Sequence, residues 1–122
     1  MNSILLVDDD EQFRSMLAES LRRAGFSVDE ASDGREGLKA YAHHPRDLII
    51  TDLIMPEKEG LETIQEFRQN YPDARIIAIS GGSRKGPYDY LKMAKLFGAR
   101  RVLAKPFARD EILEAITQVL AS

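Results

Sequence analysis

The stretch Ile4-Leu5-Leu6-Val7-Asp8-Asp9-Asp10, joined by one helical pattern to Phe26-Ser27-Val28-Asp29-Glu30-Ala31, decides how the rest of the chain is read. Four consecutive apolar residues stopped by acids suit a strand buried on both faces of a parallel sheet. Phe13, Met16, Leu17, Leu21 and Ala24 then follow one face of a helix and are read as core, with Gly25 as the stop. In the second run Phe26, Val28 and Glu30 alternate with Ser27 and Asp29, the pattern of an edge strand. Strand, helix and strand in this order make a βαβ unit.

Working outward, the same punctuation repeats. Leu48–Thr51, Arg75–Ser80 and Arg101–Ala104 are further short, apolar, β-branched runs. Asp33-Gly34-Arg35-Glu36 has the form of a capping box opening a helix through about Ala42, ended by Pro45. Leu61, Ile64 and Phe67 mark a third helix, closed by Asn70-Tyr71-Pro72. Tyr90, Met93, Ala94 and Phe97 mark a fourth, entered at Gly86-Pro87 and left at Gly98; Ile112, Leu113, Ile116, Val119 and Leu120 mark the last. The expectation is an α/β fold: a five-stranded parallel sheet, doubly wound, with five helices on both faces.

Composition narrows the function. The 122 residues allow one compact domain. With 17 basic and 20 acidic residues, net charge −3, the chain is a poor general binder of nucleic acid or of an anionic membrane surface. It has no cysteine, which removes disulfides, thiolate catalysis and cysteine zinc sites together. No apolar run approaches a membrane span, and the N-terminus lacks a secretory pattern, so a cytoplasmic location is expected.

In a sheet of this kind ligands bind beyond the carboxyl ends of the strands. The residues there are Asp8, Asp9 and Asp10 after the first strand and Asp52 after the third. Ser80 with Gly81-Gly82 follows the fourth, and Lys105-Pro106 the fifth. Converging carboxylates repel unless a cation neutralises them. Hard oxygen ligands suit Mg²⁺ or Mn²⁺, which also accepts a phosphate oxygen. A carboxylate is also a nucleophile able to form an acyl phosphate, and a metal, an ammonium and a hydroxyl could share its phosphoryl oxygens. Asp10 and Glu11 are read as helix capping and favourable dipole charge, and His43-His44 as basic residues at a helix end. The Gly81–Gly86 segment lacks the GxxxxGK[ST] order and is read as a loop.

With Ile-Leu-Leu-Val-Asp8-Asp9, Thr51-Asp52-Leu53-Ile54-Met55-Pro56, Ser80-Gly81 and Lys105-Pro106-Phe107 in place, the chain resembles a bacterial response-regulator receiver domain, CheY-like, over residues 1–122. The resemblance implies the flavodoxin-like strand order 2-1-3-4-5, of which receivers are a standing example. It implies Asp52 as phosphoacceptor, with Ser80 at the switch position and Lys105 on the phosphoryl group. Asp8, Asp9, Asp52 and the Ile54 backbone carbonyl would hold Mg²⁺, with Mn²⁺ or Ca²⁺ as substitutes.

By the same resemblance the donor is a sensor histidine kinase or a histidine phosphotransfer protein, in a two-component phosphorelay. The chain would be a signalling switch rather than an enzyme, though one that catalyses its own Mg-dependent phosphorylation and dephosphorylation. It would act as a monomer or weak homodimer on a downstream protein target, with no direct nucleic acid, no membrane and no output domain in this chain. The expected output face carries Tyr88, Tyr90, Lys92, Lys95, Arg100 and Arg101. Two positions depart from the family pattern: Val102 replaces the switch aromatic, and Ala108 replaces a polar helix cap, at an expected cost of about 1 kcal/mol.

Three rival readings meet the same residues. An Asp-nucleophile phosphatase acting on metabolites would show a second acid at Ile54. A flavin-binding domain of this topology would not place three aspartates where a phosphate must sit. An interaction module that no longer takes phosphate is disfavoured by intact Asp52, Ser80 and Lys105.

Overall fold

The computed structural model describes residues 2–53, 59–80, 94–95 and 97–121, with residues 59–61 described by backbone alone. The strands are β1 (Ser3–Val7), β2 (Ser27–Ala31), β3 (Leu48–Asp52), β4 (Ile76–Ser80) and β5 (Arg101–Ala104). The helices among the described residues are α1 (Glu11–Arg23), α2 (Gly34–His43), α3 (Glu59–Asn70) and α4 (Arg109–Ala121). All neighbouring strands pair in parallel, in the order β2-β1-β3-β4-β5. This is the flavodoxin-like doubly wound order. Of the further helix expected around Tyr90–Phe97, Ala94, Lys95 and Phe97 are helical, and the rest lies outside the described residues.

The sheet separates two apolar layers because successive strand side chains point to opposite faces. Ile4, Leu6, Leu48, Ile50, Ile77 and Ile79 meet α1 and α4 through Leu17, Leu21, Ile112 and Ile116. Leu5, Val7, Ile49, Ile76 and Ala78 meet the other layer, which holds Tyr41, Ile64 and Phe67. Two-sided burial explains why β1, β3 and β4 read as unbroken apolar runs. It fails for β5, the second edge strand, where Leu103 alone is buried. The α1 stripe is also narrower than its periodicity implies. Leu17, Ala18 and Leu21 are buried, whereas Met16 is 67% exposed and is not core.

Helix ends follow their local chemistry. Asp10 caps α1 by accepting from the Phe13 amide (3.1 Å). Gly25, at φ +103°, closes it in the left-handed conformation: its amide donates to Arg22 O, and that of Phe26 to Leu21 O. Gly98 (φ +124°) sits likewise, with the Ala99 amide donating to Ala94 O. The capping box of α2 is displaced by one residue. Asp33 accepts from the Glu36 amide, but the Glu36 carboxylate reaches past it to the Ser32 amide (2.9 Å) and hydroxyl (2.8 Å). At α4 the missing polar cap is partly replaced, since Glu111 accepts from the Ala108 amide (2.9 Å).

These two Ser32 hydrogen bonds, the backbone one first, hold the exposed Glu36 carboxyl below its ordinary value of 4.5. A folded-state pKa below the unfolded one contributes stability above the unfolded value and loses it as pH falls through the folded one. Glu36→Gln should therefore flatten the acid limb of the stability profile below about pH 4.5, a small effect at an exposed site, measured by urea unfolding at stepped pH. An unchanged limb would count against it.

The β2 edge is tied down by side chains. Arg46 bonds Asp29 through Nε (3.0 Å) and Nη2 (2.8 Å) and donates to Ala40 O. Glu30, on the α1 side, meets Arg14 (3.0 Å) and Arg22 (3.4 Å).

Candidate functional site

The ladder does not stop where the strands stop, and this places the site residues. The Asp8 amide donates to Ala31 O (3.1 Å), holding the first acid beside the end of β2. The Leu53 amide donates to Ile79 O (2.8 Å), which pins Asp52, the last residue of β3; the strand runs one position past the Thr51 end read from the sequence. The Lys105 amide donates to Ser80 O (2.8 Å). The Lys105–Pro106 peptide is cis.

One edge of the sheet thus gathers Asp8, Asp52, Ser80 and Lys105. Asp8 is fully buried, Asp52 is 4% exposed and Ser80 is buried at the end of β4. Lys105 Nζ donates to Asp8 Oδ2 (3.0 Å) and to Asp52 Oδ2 (3.4 Å), bridging the two strand ends. Asp9 is exposed. Carboxylate oxygens of Asp8, Asp9 and Asp52 all lie within 4.8 Å of one another. The expected Ile54 ligand, the Gly81–Gly86 loop and Tyr88, Tyr90 and Lys92 lie outside the described residues. Lys95 and Arg100 are exposed and Arg101 half-buried near the end of α4, and Val102 packs against the α2–α3 layer.

Two neighbours were not read as part of the site. Arg14 Nη1 donates to the Asp8 carbonyl (2.7 Å), so the first turn of α1 holds the acidic loop as well as Glu30. Phe13, read as core, lies with its ring centroid 4.0 Å from Lys105 Nζ. Their signal is position alone: both fall in the first turn after the acidic loop.

The donor set fits a hard divalent cation. A cation with ligands at about 2.0–2.1 Å spans oxygens up to about 4.2 Å apart, so these three carboxylates could close on one ion after small rotations or through water. Asp9→Ala should weaken Mg²⁺ binding by at least about 10–100-fold, the range for loss of an outer-sphere partner. The metal-free fold should change by no more than about 0.5 kcal/mol, because one of three like charges is removed. Amide-shift titration and urea unfolding measure the two. A strongly destabilised metal-free variant would show that Asp9 serves the fold.

A parallel five-stranded sheet with clustered acids and a lysine at its carboxyl edge is the arrangement that the receiver resemblance implies. The chain belongs to the response regulator receiver domain family, whose model matches residues 4–117. It is 36% identical over 119 residues to the chemotaxis protein CheY of Bacillus subtilis, covering 96% of each chain. A receiver domain structure from Clostridium thermocellum superposes with a TM-score of 0.90 at 27% identity, covering 99% of this chain and 95% of that one. The Thermotoga maritima response regulator TrrA, solved in complex with Mg²⁺ and BeF, matches at 33% identity and a TM-score of 0.83, covering 98% of this chain and 99% of that one. Receivers of this family work in two-component systems with histidine kinases or phosphotransfer proteins. Among the described residues no helix is long and apolar enough to cross a membrane.

Proposed function

We propose that residues 1–122 form one receiver domain that accepts a phosphoryl group on Asp52 from a sensor histidine kinase or histidine phosphotransfer protein. The observation that carries this is the Lys105 ammonium bridging Asp52 and Asp8 beside the three-carboxylate cluster. Asp52 Oδ forms the new O–P bond as the donor's N–P bond breaks. The donor imidazole leaves with that electron pair. Lys105, already hydrogen-bonded to the acceptor carboxylate, is within reach of the phosphoryl oxygens, and the Ser80 hydroxyl is the further partner on that edge.

Asp8, Asp9, Asp52 and the Ile54 carbonyl are the residues that would hold Mg²⁺, the ion bound in the TrrA complex. Bound there, it supplies charge neutralisation for the acids and the phosphoryl group. Mn²⁺ or Ca²⁺ suit the same oxygens. The cytoplasm is the proposed location. The signal would leave towards a protein target through the surface holding Lys95, Arg100 and Arg101, with the chain a monomer or weak homodimer.

Intact mass after incubation with acetyl phosphate and Mg²⁺ tests the reading. One phosphoryl group should be gained, and excess chelator should abolish the gain. No gain, or a gain indifferent to chelator, would overturn it.

A further inference from the structure

We propose that Phe13 is a positioning residue for Lys105, holding the ammonium against the Asp8 and Asp52 carboxylates through the face of its ring. The kinetic part rests on Asp52 being the phosphoacceptor; the geometric part does not.

A lysine is a point charge on a flexible four-carbon stem, so its ordering must come from what surrounds its tip. Two carboxylates, at 3.0 and 3.4 Å, face the Lys105 ammonium. Phe13 adds a flank of a different kind. Its ring centroid lies 4.0 Å from Nζ, inside the roughly 6 Å range in which a ring face attracts a cation. The ring is itself held, edge-to-face, by Phe107 two residues beyond Lys105, with centroids 6.1 Å apart and planes at 87°. Phe13 and Phe107 are partly buried and both pack on the α1–α4 layer of the core, which anchors the ring beside the lysine.

The chemistry of the flank matters as much as its position. Three acids already crowd this edge. Another carboxylate would add to their repulsion and a hydroxyl would compete for the ammonium's donors. A ring face steadies the cation without bringing a full charge or a strong acceptor. Lys105 then reaches its partner on Asp52 already oriented, and less is lost in fixing it when the phosphoryl group arrives.

The test compares Phe13→Leu, which keeps apolar bulk without a ring, and Phe13→Tyr, which keeps the ring. In the wild type the Lys105 ε-methylene protons should be shifted upfield by the ring current. Phe13→Leu should abolish the shift and Phe13→Tyr should retain it. The rate of Asp52 phosphorylation by acetyl phosphate should fall about two- to fivefold in Phe13→Leu, the size of an exposed cation–π contact, and recover in Phe13→Tyr. If Phe13→Leu does not fold, Phe13→Met takes its place.

An unshifted Lys105 in the wild type, or a shift surviving in the ringless variant, would overturn the proposal. So would a wild-type rate in a ringless variant that has lost the shift. If the wild type takes no phosphoryl group, the phosphoacceptor reading fails, and the ring-current comparison still decides whether Phe13 holds Lys105.

Discussion

Asp52→Asn should take up no phosphoryl group from acetyl phosphate under conditions that load the wild type. Asparagine keeps the shape of the side chain, so the cavity at the end of β3 stays filled. It loses the anionic oxygen proposed to attack phosphorus and one of the three carboxylates that would hold the ion. Lys105 retains its shorter contact to Asp8, so the edge of the sheet keeps a bridged pair. The change in unfolding free energy should stay within about 1 kcal/mol, the ordinary range for a point change without a cavity. Intact mass reads the first expectation and urea unfolding the second. A phosphoryl group that persists in the variant would move the acceptor to another residue.

Phe67→Ala should cost about 3–5 kcal/mol, the largest effect on the fold expected here. Phe67 is fully buried on α3, among Leu5, Ile49 and Ile76, and its ring meets that of Tyr41 at 5.5 Å and 85°. Against a total of about 5–15 kcal/mol, such a loss leaves the domain marginal. Phe67→Leu, which refills most of the volume, should cost roughly 1 kcal/mol. A loss under about 1 kcal/mol for the alanine variant would mean that the α2–α3 layer collapses into the gap. Because β3 carries Asp52, the alanine variant should also lose phosphoryl uptake on warming well before the wild type does.

The fold was legible where burial on two faces writes itself into consecutive residues. Ile4–Val7 and Leu48–Thr51 could hardly be anything but inner strands, and once these are placed the chain's acids, serine and lysine fall at one edge by topology alone. Arg101–Ala104 carried a weaker signal, because an edge strand needs only one good apolar contact and Leu103 supplies it.

Helix periodicity over-counted the core at Met16. A stripe through Phe13, Leu17 and Leu21 is covered by the sheet and α4, and the neighbouring position three residues on from Phe13 already faces water. The shift of the Glu36 hydrogen bonds from Asp33 to Ser32 depends on a side-chain rotamer that spacing does not encode. Phe13 beside Lys105 was invisible for a different reason. The two residues lie at opposite ends of the chain, and an apolar residue on an apolar stripe announces packing, not a cation.

An open sheet ends in two strands whose outer backbone groups can template another chain. Here the ends differ in sign, with Asp29 and Glu30 on β2 and Arg101 on β5. Bare, they would invite the β5 of one molecule onto the β2 of the next, a head-to-tail contact that never closes and grows into ribbons. The guanidinium of Arg46 on Asp29, and those of Arg14 and Arg22 on Glu30, set three cations against the two acids of that margin. Acids already paired within the molecule are less available to the Arg101 of a second one. The same arginines that order the β2 side of the fold thus also neutralise its acidic margin, so their loss should both lower the melting temperature and leave Asp29 and Glu30 open to a basic partner.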